Sequence, residues 1–317
     1  MNRILVIRGG AIGDFILTLP ALKALREVRP RAHIEILGYK HIAVLSENRF
    51  YAQAARSIEY GRLSSFFAKN SELPADLANY FASFDLIVSY LYDPDRIFEN
   101  NLRRCGVENL LCGPPKIVEN AGRAARQLAR PIEEMGIRVV DLTEKVFPSI
   151  EDRQFASDFL RSLQQPIIAI HPGSGCFARE NFRSLSDAKG KGGCRCPSLV
   201  VLSGEADKAQ TEQLESEWKN RDVRFAKNLP LPQLAAVLQR SIFIGHDSGI
   251  SHLAAAAGAN CILLFGPTNP NVWAPRNKNV RVLVAPSGRL SVLEITRVEA
   301  AITAALCDWS VEAGSES

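Results

Sequence analysis

Residues 241–270, SIFIGHDSGISHLAAAAGANCILLFGPTNP, constrain the fold most strongly. An apolar run predicts a buried strand that ends at Gly245, and the Ala-rich segment after it predicts a helix that ends at Gly258. A second apolar run, residues 260–265, predicts the next strand. A strand, a helix and a strand in so short a span are typical of a parallel sheet, in which the loops after both strands lie at the same edge.

The turn between that first strand and the helix has the composition of an anion-binding site. Asp247 or Ser248 can cap the helix, and Gly249 lets another backbone come close. The first-turn amides have no partner within the helix, so they attract phosphate or diphosphate. His252 lies about one turn after Ser248 and could donate to phosphate, ribose or sugar. An ordinary capped helix with a half-buried histidine would explain the same residues, and the spacing leaves both interpretations open.

The amino terminus repeats the order of strand, glycine-rich turn and helix. The strand RILVIR leads into a turn that contains Gly10, Ile12 and Gly13. The dinucleotide fingerprint G-x-G-x-x-G fails, because Ala11 and Asp14 occupy two of its glycine positions. A carboxylate at a helix start repels phosphate, so this loop should face a sugar hydroxyl, with Asp14 as the general base. The alternative is an acid that only suits the helix dipole.

Strand and helix patterns alternate along the chain, which is the rhythm of a doubly wound parallel sheet. Residues 84–90 predict a strand, and residues 118–135 predict a long helix. The loop from Tyr90 to Pro94 either touches an acceptor or packs on its own domain. Residues 141–165 break the apolar rhythm, so we expect the hinge between two domains there.

Three separated motifs resemble those of glycosyltransferase family 9, the ADP-heptose:lipopolysaccharide heptosyltransferases and their relatives. They are ILVIRGGAIGDFILTLPALKAL, IAIHPGSG, and GHDSGISHLAAAAG followed by LFGPTNP. The resemblance implies two Rossmann-like α/β domains that face a cleft, the GT-B type of architecture. Residues 1–150 would bind the acceptor and residues 151–317 the nucleotide sugar. The last helix, expected over residues 290–306, would pack back on the first domain.

The resemblance also implies a reaction. It implies an inverting, metal-independent glycosyltransferase without a cofactor, which moves a sugar, heptose by default, from a nucleotide diphosphate sugar, ADP-heptose by default. The acceptor would be a lipopolysaccharide core or a related glycan, free or lipid-linked. Asp14 matches the family's catalytic base, and Gly10, Ile12 and Gly13 form the loop on the acceptor side. A non-catalytic nucleotide-sugar-binding relative and a nucleotide-sugar epimerase on a similar scaffold remain the alternatives.

Further donor contacts are expected from the second half of the chain. Ser174 and Gly175 follow a buried strand, and small residues there leave amides open to phosphate. Asp207 stands where an acid commonly accepts hydrogen bonds from ribose hydroxyls, with Glu205 as its substitute if the register slips. The residues expected to bind the donor are Ser174, Gly175, Arg179, Asp207, Asp247, Ser248, Gly249 and His252.

The segment 176–197 departs from the family. Relatives carry a Lys followed closely by Trp-Pro and a full helix, whereas this chain has CFARENF and then RSLSDAKGKGGCRCP. Arg179 could replace the Lys as the cation on the diphosphate, although Glu180 can occupy the matched position. A genuine variant, a degenerate enzyme and a locally corrupted reading frame each explain the segment.

The composition excludes several classes of function. A net charge of +4 favours anionic substrates, but no basic stripe with interleaved aromatic residues predicts a nucleic-acid partner. Seven scattered cysteines, an odd number, argue against a disulfide framework. No apolar run is long enough to span a bilayer, and the chain opens on a strand instead of a signal peptide. We therefore expect a cytoplasmic protein, with peripheral contact to the inner membrane surface.

Overall fold

The computed structural model describes residues 2–172, 197–204, 208–218 and 223–315. The chain divides into two compact units, Met1–Phe147 and Pro148–Ser317. The boundary between them lies within residues 141–165, where the apolar rhythm of the sequence breaks. None of the described helices is long and apolar enough to cross a membrane.

The first unit is built on a five-stranded parallel sheet with the strand order β3-β2-β1-β4-β5. Its strands are β1 (Arg3–Arg8), β2 (His33–Gly38), β3 (Ala54–Ser57), β4 (Leu86–Ser89) and β5 (Leu110–Cys112). Its helices are α1 (Ile12–Val28), α2 (Lys40–Ala43), α3 (Ala75–Ala82), α4 (Ile97–Arg104) and α5 (Ala124–Glu133). The chain moves outward from β1 in both directions, so the strand order reverses between β1 and β4. In open sheets of this kind, ligands bind in the crevice at such a reversal.

The second unit is built on a six-stranded parallel sheet with the strand order β11-β10-β9-β6-β7-β8. Its strands are β6 (Ile167–Ile170), β7 (Ser198–Ser203), β8 (Val223–Lys227), β9 (Ile242–His246), β10 (Asn260–Phe265) and β11 (Val280–Val284). Its described helices are α6 (Ile150–Leu160), α7 (Lys208–Glu217), α8 (Leu231–Leu238), α9 (Gly249–Ala257), α10 (Pro270–Trp273) and α11 (Ile295–Ser315). Here the strand order reverses between β6 and β9.

Helix α5 is shorter than the sequence pattern predicts. The expected helix covers residues 118–135, but the observed one is Ala124–Glu133. The Gln127 amide nitrogen donates to the carbonyls of Val118 at 2.9 Å and Gly122 at 2.8 Å, and its oxygen accepts from the Val118 amide at 2.9 Å. These bonds hold the preceding residues in a loop, and Gly122 has a φ of 87° that no helix contains.

The carboxy-terminal helix begins later than predicted. Residues Leu290–Val292 form a short 3-10 turn, and α11 follows from Ile295. Its buried residues Val298, Ala301 and Ile302 belong to the hydrophobic core of the second unit. The packing of this helix on the first domain stays a prediction.

The segment after α5 runs along the first unit as a strap, residues 138–147. The Lys23 ammonium pairs with the Asp141 carboxylate at 2.8 Å, and the Tyr51 hydroxyl donates to the Lys145 carbonyl at 2.6 Å. Glu144 is 2% exposed, and this burial raises the pKa of its carboxyl group to about 7. The strap therefore belongs structurally to the first unit, and it contains a carboxyl group that resists ionisation.

Candidate active site

Asp14 lies at the carboxyl edge of the first sheet, where the strand order reverses. The helix begins at Ile12, so Asp14 is its third residue. The Asp14 carboxylate accepts a hydrogen bond from the Ala11 amide at 2.9 Å, and its position in the first turn suits the helix dipole. Its side chain is 37% exposed, so it can reach a bound molecule.

Gly10 makes room for that carboxylate. Its φ is 99°, and a Cβ added there would lie 2.7 Å from Asp14 Oδ2. A larger residue would therefore strain the turn and displace Asp14. Ile12 and Gly13 are the first two residues of α1, directly beside Asp14.

A buried arginine contacts both the carboxylate and the carbonyl of Asp14. Arg8, the last residue of β1, is 4% exposed, and its Nη2 lies 3.4 Å from Asp14 Oδ1. Its Nε and Nη2 also donate to the Asp14 carbonyl at 3.3 and 3.2 Å. Burial lowers the pKa of Arg8, and the nearby Asp14 opposes that effect. A guanidinium keeps its proton in proteins, so Arg8 is a fixed cation beneath the carboxylate.

The loop from Tyr90 to Pro94 contains one buried and one exposed tyrosine. Tyr90 is buried, its hydroxyl donates to the Leu128 carbonyl at 2.8 Å, and the Arg8 guanidinium lies 5.6 Å from its ring centre. Tyr90 therefore packs within its own domain. Tyr92, two residues later, is 66% exposed. Arg8 was not predicted as a site residue, although a charged residue at the end of an apolar strand is a visible signal in the sequence.

In the second unit, Ser248 and not Asp247 is the cap of α9. The Ser248 hydroxyl accepts from the Ser251 amide at 3.3 Å, and Ser248 itself has extended backbone geometry. The Ser251 hydroxyl in turn donates to the His246 carbonyl, which ties the helix to the end of β9. Gly249 is the first helical residue. The predicted turn thus forms, with the first amides of α9 at the carboxyl edge of the sheet.

His252, the fourth residue of α9, is buried. It is 3% exposed, and its Nε2 lies 3.9 Å from Asp247 Oδ1, beyond hydrogen-bond distance. Its Nδ1 has no hydrogen-bond partner among the residues that the structure describes. Burial lowers the pKa of His252 to about 4, so the ring is neutral near pH 7.

Two further histidines end the strands that flank this second reversal. His171 follows β6 directly, its amide donates to the Ile244 carbonyl at 3.0 Å, and His246 is the last residue of β9. Burial and, next, the nearby His171 lower the pKa of His246 to about 4. Neither histidine was predicted as a site residue, although each is a polar residue that ends an apolar strand within a recognised motif.

Several predicted contacts fall outside the described residues. These are the contacts of Ser174, Gly175, Arg179 and Asp207, and they stay predictions. Asp93-Pro94-Asp95 has the Asp-x-Asp spacing, but no three His, Cys, Asp or Glu side chains in the described part of the chain lie close enough to hold a metal ion. Independence of metal likewise stays a prediction.

Comparison with known proteins shows the family of this chain. The sequence model of glycosyltransferase family 9 (heptosyltransferase) matches residues 116–302. The chain belongs to this family. It is 23% identical over 300 residues to lipopolysaccharide heptosyltransferase 3 of Escherichia coli, which covers 84% of each protein. It is 29% identical over 119 residues to lipopolysaccharide heptosyltransferase 1 of Salmonella typhimurium, 37% of this chain and 36% of that protein. The predicted family and the predicted enzyme class, a glycosyltransferase, are confirmed.

Solved structures share the fold. A family 9 glycosyltransferase from Veillonella parvula matches with a TM-score of 0.78 at 19% identity over 97% of both chains. The E. coli ADP-heptose lipopolysaccharide heptosyltransferase II matches with a TM-score of 0.73 at 17% identity over 97% of this chain and 99% of that one. The prediction of two Rossmann-like domains is confirmed. UDP-GlcNAc 2-epimerase from Methanocaldococcus jannaschii reaches a TM-score of 0.51 at 10% identity, with 94% and 92% of the two chains covered, so fold alone does not separate transferase from epimerase.

Proposed function

We propose that this glycosyltransferase transfers heptose from ADP-heptose to a lipopolysaccharide core or a related glycan, with inversion and without a metal ion. The observation that carries the proposal is the Asp14 carboxylate, exposed at the reversal of the first sheet and held by the buried cation of Arg8. Relatives support the choice of substrates. The structure of E. coli heptosyltransferase WaaC is known with ADP and with ADP-2-deoxy-2-fluoro heptose. These two structures match this chain with TM-scores of 0.66 and 0.63.

Asp14 is the general base in this proposal. An acceptor hydroxyl oxygen attacks the anomeric carbon of the donor, and its proton passes to the Asp14 carboxylate. The bond from the anomeric carbon to the diphosphate oxygen breaks in the same displacement, and ADP leaves with the electron pair. A single displacement inverts the anomeric configuration. Arg8 contributes by fixing the carboxylate in position, as a residue that acts through Asp14.

The donor is bound by the turn before α9. The diphosphate lies at the helix start, where the amides from Gly249 onward and the helix dipole favour negative charge. His252 is neutral and buried there, so it stabilises the anion by donating a hydrogen bond rather than by charge. The donor site of the second unit is completed by the predicted contacts of Ser174, Gly175, Arg179, Asp207 and Asp247.

The proposal is tested by the Asp14→Asn variant. Transfer from ADP-heptose should fall by about 10²–10⁴-fold, the range for loss of a general base. Donor affinity, measured by calorimetry, should not change. Gly249→Val should have the opposite effect on donor affinity. A side chain at the helix start fills the space of the diphosphate and should abolish donor binding. Transfer at the wild-type rate in Asp14→Asn would remove the base from the mechanism.

The finer claims need their own measurements. Transfer that continues in excess EDTA supports a metal-independent reaction, and NMR of the product reports its anomeric configuration. Incubation with ADP-heptose alone separates the alternatives. An epimerised donor would favour an epimerase, and tight binding without turnover on any acceptor would favour a non-catalytic relative. The cytoplasmic location and the contact with the inner membrane stay predictions.

A further inference from the structure

A cavity of about 320 Å³ opens at the carboxyl ends of β4 and β5, wholly within the first unit. Leu91 lines it, and a Cβ placed on Gly9 would lie 3.5 Å from Leu91 Cδ2. The cavity therefore shares a wall with the loop that leads to Asp14. Ligand pockets in proteins start at about 300 Å³, so this one has room for a single small ring.

The lining combines an aromatic ring with hydrogen-bonding oxygens. Tyr92 is 66% exposed at the cavity. The Lys116 ammonium lies 5.1 Å from the centre of the Tyr92 ring. Asp93 and Glu99 supply carboxylates, and the Asp93 Oδ2 accepts from the Glu99 amide at 2.9 Å, which fixes its position.

The lining of the cavity carries one cation and two carboxylates. The cation in the lining is Arg96, and its Nε and Nη2 donate to the Glu99 carboxylate at 2.9 and 2.7 Å. That guanidinium is already committed, and Asp93 adds a further negative charge. Because Arg96 and Glu99 neutralise each other, a phosphate or carboxylate on the ligand would meet the Asp93 carboxylate, whereas a sugar hydroxyl would find an acceptor there.

We propose that this cavity binds an uncharged sugar ring of the acceptor. The exposed ring of Tyr92 packs against the C–H face of the sugar, and the Asp93 carboxylate accepts hydrogen bonds from its hydroxyls. The assignment rests on the proposed transferase function. If Asp14 is the base that activates the acceptor, then a sugar bound in the cavity beside the Asp14 loop belongs to the acceptor. It also narrows that function, since the acceptor unit next to the reacting hydroxyl would carry no phosphate.

Cys112 gives a test that needs no turnover. It lines the cavity and is exposed, whereas Cys307 is exposed in the second unit and serves as the internal reference. Alkylation of both thiols by iodoacetamide is followed by mass spectrometry in mildly alkaline buffer, because partial burial raises the pKa of the Cys112 thiol. Methyl α-mannoside should slow labelling of Cys112 and leave Cys307 unchanged. Mannose 6-phosphate should protect Cys112 much less.

Two variants complete the test. Tyr92→Ala should abolish the protection by methyl α-mannoside, while Tyr60→Ala, at another exposed tyrosine of the same unit, should retain it. In the transfer assay, Tyr92→Ala should raise the KM for the acceptor by about tenfold, the effect of losing one aromatic contact. Its kcat and its KM for ADP-heptose should stay as in wild type, because the donor binds to the other unit.

The outcomes separate the two proposals. Equal protection by mannose 6-phosphate, or full protection in Tyr92→Ala, would overturn the cavity assignment. Transfer with an unchanged acceptor KM in Tyr92→Ala would overturn it too, and would leave the transferase proposal intact. If no nucleotide sugar is turned over, but the mannoside protects Cys112 through Tyr92, then the transferase proposal fails and the cavity remains a site for an uncharged sugar.

Discussion

Glu144→Gln should stabilise the protein at neutral and alkaline pH and leave it unchanged in acid. In the folded chain, burial holds the pKa of Glu144 at about 7, against an ordinary value of 4.5. Below the ordinary value the carboxyl group is protonated in both the folded and the unfolded chain. As pH rises from 4.5 to about 7, the unfolded chain releases its proton and the folded chain keeps it, so the free energy of unfolding falls. Above about 7 the full cost is present.

The size of that cost follows from the distance between the two values. At about 1.4 kcal/mol for each pH unit, the interval from 4.5 to about 7 corresponds to about 3 kcal/mol. Glutamine has the shape of glutamate without the charge, so the variant should escape this loss. The free energy of unfolding should match that of wild type near pH 4 and exceed it by up to about 3 kcal/mol near pH 8.

Urea unfolding followed by far-ultraviolet circular dichroism is the assay. All three tryptophans, Trp218, Trp273 and Trp309, lie in the second unit, so their fluorescence follows that unit and gives an internal reference. Glu59→Gln, at an exposed position of the first unit, should give no pH-dependent difference. If the difference between Glu144→Gln and wild type is the same at both pH values, then Glu144 ionises without cost and the reasoning is wrong.

Two further substitutions test the packing around Arg8 in the first unit. Arg8→Gln should lower kcat by about 10–10²-fold through displacement of Asp14, with donor affinity in calorimetry unchanged; a wild-type kcat would show that Asp14 needs no support. Gly113→Ala should cost about 1–3 kcal/mol in urea unfolding, because its Cβ would lie 2.4 Å from the Tyr90 ring, while Gly61→Ala, with nothing within 4 Å, should cost far less. Equal losses for the two glycines would contradict the packing argument.

The turn before α9 was predictable because its signals are local. The cap at Ser248 and the stop at Gly258, where φ is 94°, both lie within the same short stretch of sequence. The choice between Asp247 and Ser248 needed coordinates, because either side chain can reach an amide. The shorter α5 was not predictable from periodicity, since the bonds of Gln127 to the preceding loop compete with helix formation.

The missed residues have partners that are distant in sequence. Arg8 lies against Tyr90 only because β1 and β4 are neighbours in the sheet, whereas its contact with Asp14, six residues away, is local. His171 and His246 lie close together only because β6 pairs with β9. Single motifs can suggest that such residues matter, but the strand order decides what they contact.

The strap along the first unit determines where the two halves of the chain can be separated. Phe147 lies 4.9 Å from Phe50 and 5.6 Å from Tyr51, ring centre to ring centre, so a fragment that stops before it loses that aromatic cluster. Ser149 already belongs to the second half, because its hydroxyl accepts from the Asp152 amide at 3.1 Å and caps α6. A first-half fragment should therefore extend through Phe147 and a second-half fragment should begin no later than Ser149. The junction that leaves both intact is a single proline.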